Sequence, residues 1–223
     1  MGGAIARYAQ NGFDKWEPVG RTARLGKESV KAMLIDLLKK NRSYRGYDEN
    51  CRVSRAQLES LIDCTRYVAS SVNIQPLKYF AASEPELVSH IQPLTHWAGK
   101  LSQLHLPREG HCPPAFIVIC QDFSIHSSPT MFQRDIGAAA QTILLAAVEQ
   151  GLGGCMIGSF EKEPLRRALG LPGNIDPMLV LAIGRPDETV VLTQVGEDGS
   201  TDYYRDEKDT HFVPKRALKD ILL

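Results

Sequence analysis

The sequence predicts a layered domain, α/β or α+β, with helices flanking a central sheet. Three observations predict it. Stretches with apolar residues three and four apart alternate with short runs rich in β-branched residues, as when helices pack on strands. The run Ala115–Cys120 is continuously apolar, which fits a strand covered on both faces. The 223 residues exceed the commonest domain size without reaching two comfortable domains, so one large domain with an arm is expected.

Residues 1–26 are polar and punctuated by glycine, without sustained periodicity, and read as an N-terminal arm; residues 27–223 carry the domain. From Glu28 to Lys40 the residues Val30, Met33, Leu34, Leu37 and Leu38 draw an apolar stripe, predicting a core-facing helix that delivers Arg42–Arg45 just past its end. Ser54 and Gln57 form a capping box. The helix it opens would place Leu58, Leu61, Ile62, Thr65 and Val68 on one face and end near a loop at Ser70. Leu77–Ala82 reads as a strand, and a helical, histidine-containing excursion separates it from Ala115–Cys120. Phe132–Gln150 is the strongest helix, with Ile136, Ala139, Ala140, Ile143, Leu144 and Ala147 inward and Gly151 as its cap. Cys155–Ile157, Met178–Ile183 and Thr189–Gln194 are further strands, with a short helix at Pro164–Leu169. The tail holds Tyr203-Tyr204, a polar turn at Asp206–Asp209 and a short helix after Pro214.

The 26 basic and 26 acidic residues balance, which lacks the electrostatic footprint of a nucleic-acid binder or an anionic-membrane binder. The longest apolar runs fall far short of the roughly 20 residues that span a bilayer. The N-terminus has no apolar stretch of signal-peptide length, so the expectation is cytoplasmic. Five cysteines without a CxxC pair argue for free thiols, with Cys155 a buried strand residue. His90, His96, His105, His111 and Cys112 match no zinc template, and no metal is expected.

Two segments carry chemistry. Arg42-Ser43-Tyr44-Arg45 offers two guanidinium forks and a hydroxyl within four residues, suited to a phosphate and to the oxygen-rich edge of an aromatic heterocycle. Ser70-Ser71-Val72-Asn73-Ile74-Gln75-Pro76 offers hydroxyls and an amide on a short loop. Gly151-Leu152-Gly153-Gly154 ends a helix where a nucleotide fingerprint should open one, so it reads as a cap.

With these segments placed, the chain resembles the nitroreductase family of FMN-dependent oxidoreductases from about residue 30 to the end. Arg42–Tyr47 is similar to the family's Arg-Arg-Ser-x-Arg-x-Phe opening and Thr65–Pro76 to its Ala-Arg-x-Ala-Pro-Ser-Ser-x-Asn-x-Gln-Pro loop. Gly151–Gly158 looks like its Gly-Leu-Gly segment, and Val213-Pro214-Lys215-Arg216 like its C-terminal basic element. The resemblance implies a homodimer whose central sheet is flanked by helices and whose flavin lies at the subunit interface. Arg42, Ser43 and Arg45 would line the FMN of their own subunit, and Ser70, Ser71 and Asn73 would approach it from the opposite one. Ile157, Gly158 and Ser159 would lie near the reactive ring, and Lys215 or Arg216 would complete the phosphate site. Asn41 stands where the family has its first arginine, Val68-Ala69 replaces Ala-Pro, and Gly158 replaces a glutamate of some members.

The implied activity is ping-pong electron transfer from NADH or NADPH, through FMN tuned by Arg45, to a small electron-poor acceptor such as a nitroaromatic or quinone. Different flavin chemistry on the same scaffold (reductive dehalogenation or flavin destruction) and non-catalytic flavin binding are the alternatives.

Overall fold

The computed structural model describes residues 27–101 and 104–223, with side chains from residue 34 onward. The proposed arm at 1–26 lies outside the described residues. Residues 37–223 form one compact unit, which carries the fold. The helix α1 (Lys27–Lys40) forms where the apolar stripe predicts it. The expected burial does not follow at its C-terminal end, where Leu37 is half-buried and Leu38 is exposed.

The helix α2 (Arg55–Asp63) opens on the capping box, with Gln57 N donating to Ser54 Oγ and Ser54 N donating to Gln57 Oε1. It stops earlier than the sequence suggests. Residues Cys64–Tyr67 tighten into a 3₁₀ turn, and the Thr65 hydroxyl donates to the Ile62 carbonyl, a local bond that competes with helix continuation. The strand β1 (Leu77–Ala82), the helix α3 (Pro85–Ile91) and the strand β2 (Ala115–Asp122) follow. Next come α4 (Gln133–Glu149), β3 (Gly153–Ile157), α5 (Lys162–Ala168) and β4 (Ile175–Gly184). Gly151, at φ +74°, ends α4 in a Schellman turn: its N–H donates to Val148 O, and Leu152 N–H donates to Ala147 O.

The main sheet has the order β1-β2-β4-β3, with every pair antiparallel. Parity along its central strands explains the continuous apolar runs. Ile117, Ile119, Leu181 and Ile183 face a core with Leu58 and Leu61 of α2 and Ile136 and Ile143 of α4. Phe116, Val118, Val180 and Ala182 face the other side, with Ile91 of α3 and Leu165 of α5. Both faces are thus covered by helices. Each fully buried large apolar side chain contributes about 1.5 to 3 kcal/mol.

A second, three-stranded sheet has the order β5-β7-β6, built from β5 (Val190–Gln194), β6 (Tyr204–Arg205) and β7 (His211–Lys215). The sequence reading includes β5 but misses β6 and β7. Pro214 argues against a strand, yet β6 pairs only with His211 and Phe212, so Pro214 lies where that neighbour has already ended. The final expected helix is a single 3₁₀ turn, Leu218–Asp220.

Candidate functional site

β3 is the edge of the main sheet, and the segment after α1 covers that edge. Ser43 bridges Gly154 in parallel, Tyr44 N–H donates to Gly154 O at 3.1 Å, and Tyr47 OH donates to Tyr44 O at 2.7 Å. Two glycines permit close approaches here. A Cβ at Gly153 would stand 2.6 Å from the Tyr44 ring, and one at Gly154 would stand 2.3 Å from Ala182 O. The missing side chain at 153 thus makes room for Tyr44, while the one at 154 keeps β3 packed against β4 and α4.

A cleft of about 350 Å³ opens beside it. Arg42, Ser43, Arg45 and Lys215 all line it, joining the end of α1 to the end of β7. Arg216, its sequence neighbour, does not. The two arginines are each held. Arg42 Nη2 donates to Leu38 O at 2.8 Å, capping α1, while its Nε is buried without a partner. Burial lowers the Arg42 pKa from its ordinary value, with Tyr44 opposing. Arg45 Nη1 donates to Ser43 O at 3.2 Å, and its guanidinium carbon lies 5.2 Å from the centre of the Tyr203 ring. Leu144, Met156, Val190 and Val213 form the apolar share of the lining. A cleft with three cations, a hydroxyl and an apolar wall suits an anionic, partly aromatic ligand.

Behind Arg45 lies a group that the sequence reading does not contain. Glu188 accepts from the Arg45 backbone N–H and pairs with Arg205, and both side chains of that pair are at most 6% exposed. Arg205 also meets Asp209 at 3.0 Å. The pair thus fastens the Arg45 backbone to the second sheet. No local sequence pattern marks it, because Glu188 and Arg205 meet only through the fold.

The Ser70–Pro76 loop lies elsewhere in the chain, with Ser70 in a separate recess of about 160 Å³. Its serines turn inward to Asp135 of α4. Ser70 Oγ and Ser71 Oγ donate to the Asp135 carboxylate at 2.7 Å each, and Ser71 N–H donates at 2.8 Å. Burial acts to raise the Asp135 pKa, and the serine hydrogen bonds outweigh it, so the net shift is downward. Val72, Asn73 and Gln75 all have positive φ, at 53°, 57° and 54°. For a β-branched residue such as Val72 this is a strained backbone, held where Val72 and Asn73 are presented outward. Asp135 was legible only as an acid in an otherwise apolar helix face. Asp135→Asn is expected to cost about 1 to 2 kcal/mol, since the amide retains one acceptor oxygen and sets donors against donors. Urea unfolding of the variant checks this.

Among Ile157, Gly158 and Ser159, Ile157 is buried in the core. Gly158 and Ser159 are exposed just past β3, and none of the three lines the cleft; Met156 does. A Cβ at Gly158 would meet nothing within 4 Å, and Ser159 O accepts from His96 N–H at 2.9 Å. Cys155 is buried, and burial pushes its thiol up despite the opposing charge of Arg45, which keeps it protonated.

Tyr203 and His211 were also missed as lining residues. Their rings stack at 5.3 Å. Burial, then the charges of Arg45 and Arg205, lower the His211 pKa from 6.5 to about 4, with Asp209 opposing. The folded state therefore binds fewer protons than the unfolded chain between these values. The contribution of His211 to stability is complete above pH 6.5 and falls as pH drops toward 4, by up to about 1.4 kcal/mol per pH unit. Urea midpoints measured between pH 7 and 5, above most carboxylate titration, should show this slope in the natural protein and a flatter one in His211→Asn.

The model of the Nitroreductase family matches residues 38–105 and 114–185. A candidate NADH dehydrogenase/NAD(P)H nitroreductase of Methanothermobacter thermautotrophicus is 28% identical over 171 residues, covering 75% of this chain and 84% of that protein. The FMN reductase (NADPH) of Bacillus subtilis is 25% identical over 172 residues, covering 68% of this chain and 65% of that protein. The solved structure of NfrA1 from B. megaterium superposes with a TM-score of 0.59 at 25% identity, covering 78% of this chain and 74% of that one.

Proposed function

The chain belongs to the nitroreductase family, and from that premise we propose that it is an NAD(P)H-dependent FMN oxidoreductase acting on small electron-poor acceptors. One observation carries the reading. Arg42, Ser43 and Arg45 meet Lys215, about 170 residues away in sequence, in a single cleft. Relatives named for FMN and NAD(P)H support the cofactor and the donor.

The residues present fit FMN. The buried Arg42 Nε without a partner, three cations and an apolar wall match its phosphate and its ring system. Bound FMN would supply the two-electron chemistry. Lys215 and Arg42 would hold the phosphate end. Arg45, fixed by Glu188 and Tyr203, would set a positive charge against the pyrimidine edge, where negative charge develops on reduction. Such a charge, worth about 1.4 kcal/mol, favours reduction tenfold. A nicotinamide and then an acceptor would meet the flavin in this cleft in turn, a ping-pong order.

The same reading makes the enzyme a homodimer, with Ser70, Ser71 and Asn73 of the partner completing the site. The serines would act through Asp135, which commits their hydroxyls and shapes the strained turn that presents Asn73. Exposed Leu38, Val72, Leu218, Ile221, Leu222 and Leu223 are the apolar surface such a dimer would cover. Among the described residues no helix is long and apolar enough to cross a membrane, and five free thiols suit a cytoplasmic enzyme.

Anaerobic absorbance spectroscopy tests the function. A yellow protein bleached by NADPH or NADH and recoloured by a quinone or nitroaromatic is the expected result. Protein that FMN cannot reconstitute would overturn the site, and bound FMN that neither nucleotide reduces would leave a flavin-binding protein with other chemistry or none.

A further inference from the structure

His211 opens β7, with its N–H donating to Thr189 O at 2.8 Å. The residue is 1% exposed, yet it is part of the lining of the Arg42–Lys215 cleft, and its Nδ1 has no hydrogen-bond partner. A buried imidazole nitrogen left unpaired in the wall of a ligand-sized cleft is a group whose partner the protein itself does not supply. β7 lies beyond the family-matched residues, so the match assigns this histidine no role.

We propose that His211 is a further cofactor-binding residue, donating a hydrogen bond from its imidazole to an oxygen of the flavin held in this cleft. The inference rests on the flavin reading above. The neighbours are suited to it. Tyr203 stacks on the imidazole with 24° between the ring planes, and Arg45 lies against that phenol ring. Arg45, Arg205 and Asp209 are the charged groups that act on the ring. Burial, and after it the two guanidinium groups, keep it neutral, and a neutral imidazole has one N–H to give. FMN offers oxygen acceptors along its phosphate, ribityl chain and pyrimidine edge. Because Nδ1 is sealed beside Tyr203, the contact needs a turn of the imidazole about its Cβ–Cγ bond or a small shift of the phenol ring. The donor is thus one that ligand entry would engage.

Titration of the apoprotein with FMN, followed by quenching of flavin fluorescence, reads the contact directly. His211→Phe keeps the stacking and removes the donor, and its FMN Kd is expected to rise about tenfold, while His211→Asn, which restores an N–H near the Nδ1 position, recovers most of the loss. In the natural protein, FMN should move the ¹⁵N resonances of one imidazole, identified by its absence from His211→Asn. His211→Phe binding FMN as tightly as the natural protein overturns the inference, as do imidazole resonances that FMN leaves in place. If the natural protein itself takes up no FMN, the flavin reading falls and this inference falls with it.

Discussion

Gly154→Ala is expected to cost at least about 3 kcal/mol and to abolish FMN retention. The added Cβ would stand 2.3 Å from Ala182 O and 2.6 Å from Leu144 Cδ2. The leucine could rotate, but the carbonyl belongs to β4, whose ladder to β3 pairs Cys155 with Ala182 and Gly154 with Ile183. Relief therefore requires moving a central strand, which places the cost at the upper end of overpacking penalties. For a domain of this size that is a fall in Tm of about 10 °C. The functional loss has a separate origin. Ser43 bridges Gly154 and Tyr44 N–H donates to its carbonyl, so displacing β3 displaces Arg42, Ser43 and Arg45 together. Gly158→Ala is the matched control, because its Cβ would meet nothing within 4 Å, and its Tm should stay within about 2 °C of the natural protein. Equal melting temperatures for the two variants would show that Gly154 is not packed against β4 as described.

This dependence on missing side chains shows what the sequence could and could not reveal. Helices with a one-sided stripe or a cap, such as α2 and α4, were readable because their periodicity and end signals are local. The central strands β2 and β4 were readable as buried because both parities are apolar, although that same feature hides their antiparallel pairing. Arg42, Ser43 and Arg45 were candidates by residue type and by resemblance, Lys215 by resemblance alone, and the fold brings those four into one cleft. Tyr203 and His211 were not candidates, since a tyrosine pair and a lone imidazole carry no spacing signal. Asp135 illustrates a different limit. Its serine partners lie about 65 residues away, and only the folded loop shows that the hydroxyls are spent on positioning.

Glu188→Ala is the second large effect, expected at about 3 to 5 kcal/mol, because it leaves the Arg205 guanidinium buried without its main counter-charge. Asp209 meets the same guanidinium, but its side chain is 36% exposed against 4% for Glu188, so it compensates only in part. The cost belongs to the orphaned charge more than to the pair itself, which a double variant can separate. Glu188→Leu with Arg205→Met removes both charges at similar volume and should recover most of the stability, since replacing a buried pair by apolar groups is often neutral. It should not recover the cofactor site. The Arg45 backbone N–H still lacks the acceptor that Glu188 Oε1 provides, and the guanidinium above Tyr203 loses its anchor to the second sheet. The double variant is therefore expected to melt near the natural temperature while binding FMN about tenfold more weakly. Unchanged FMN affinity in that stable variant would mean that Glu188 serves folding alone, whereas weakened affinity at natural stability identifies it as the residue that positions Arg45.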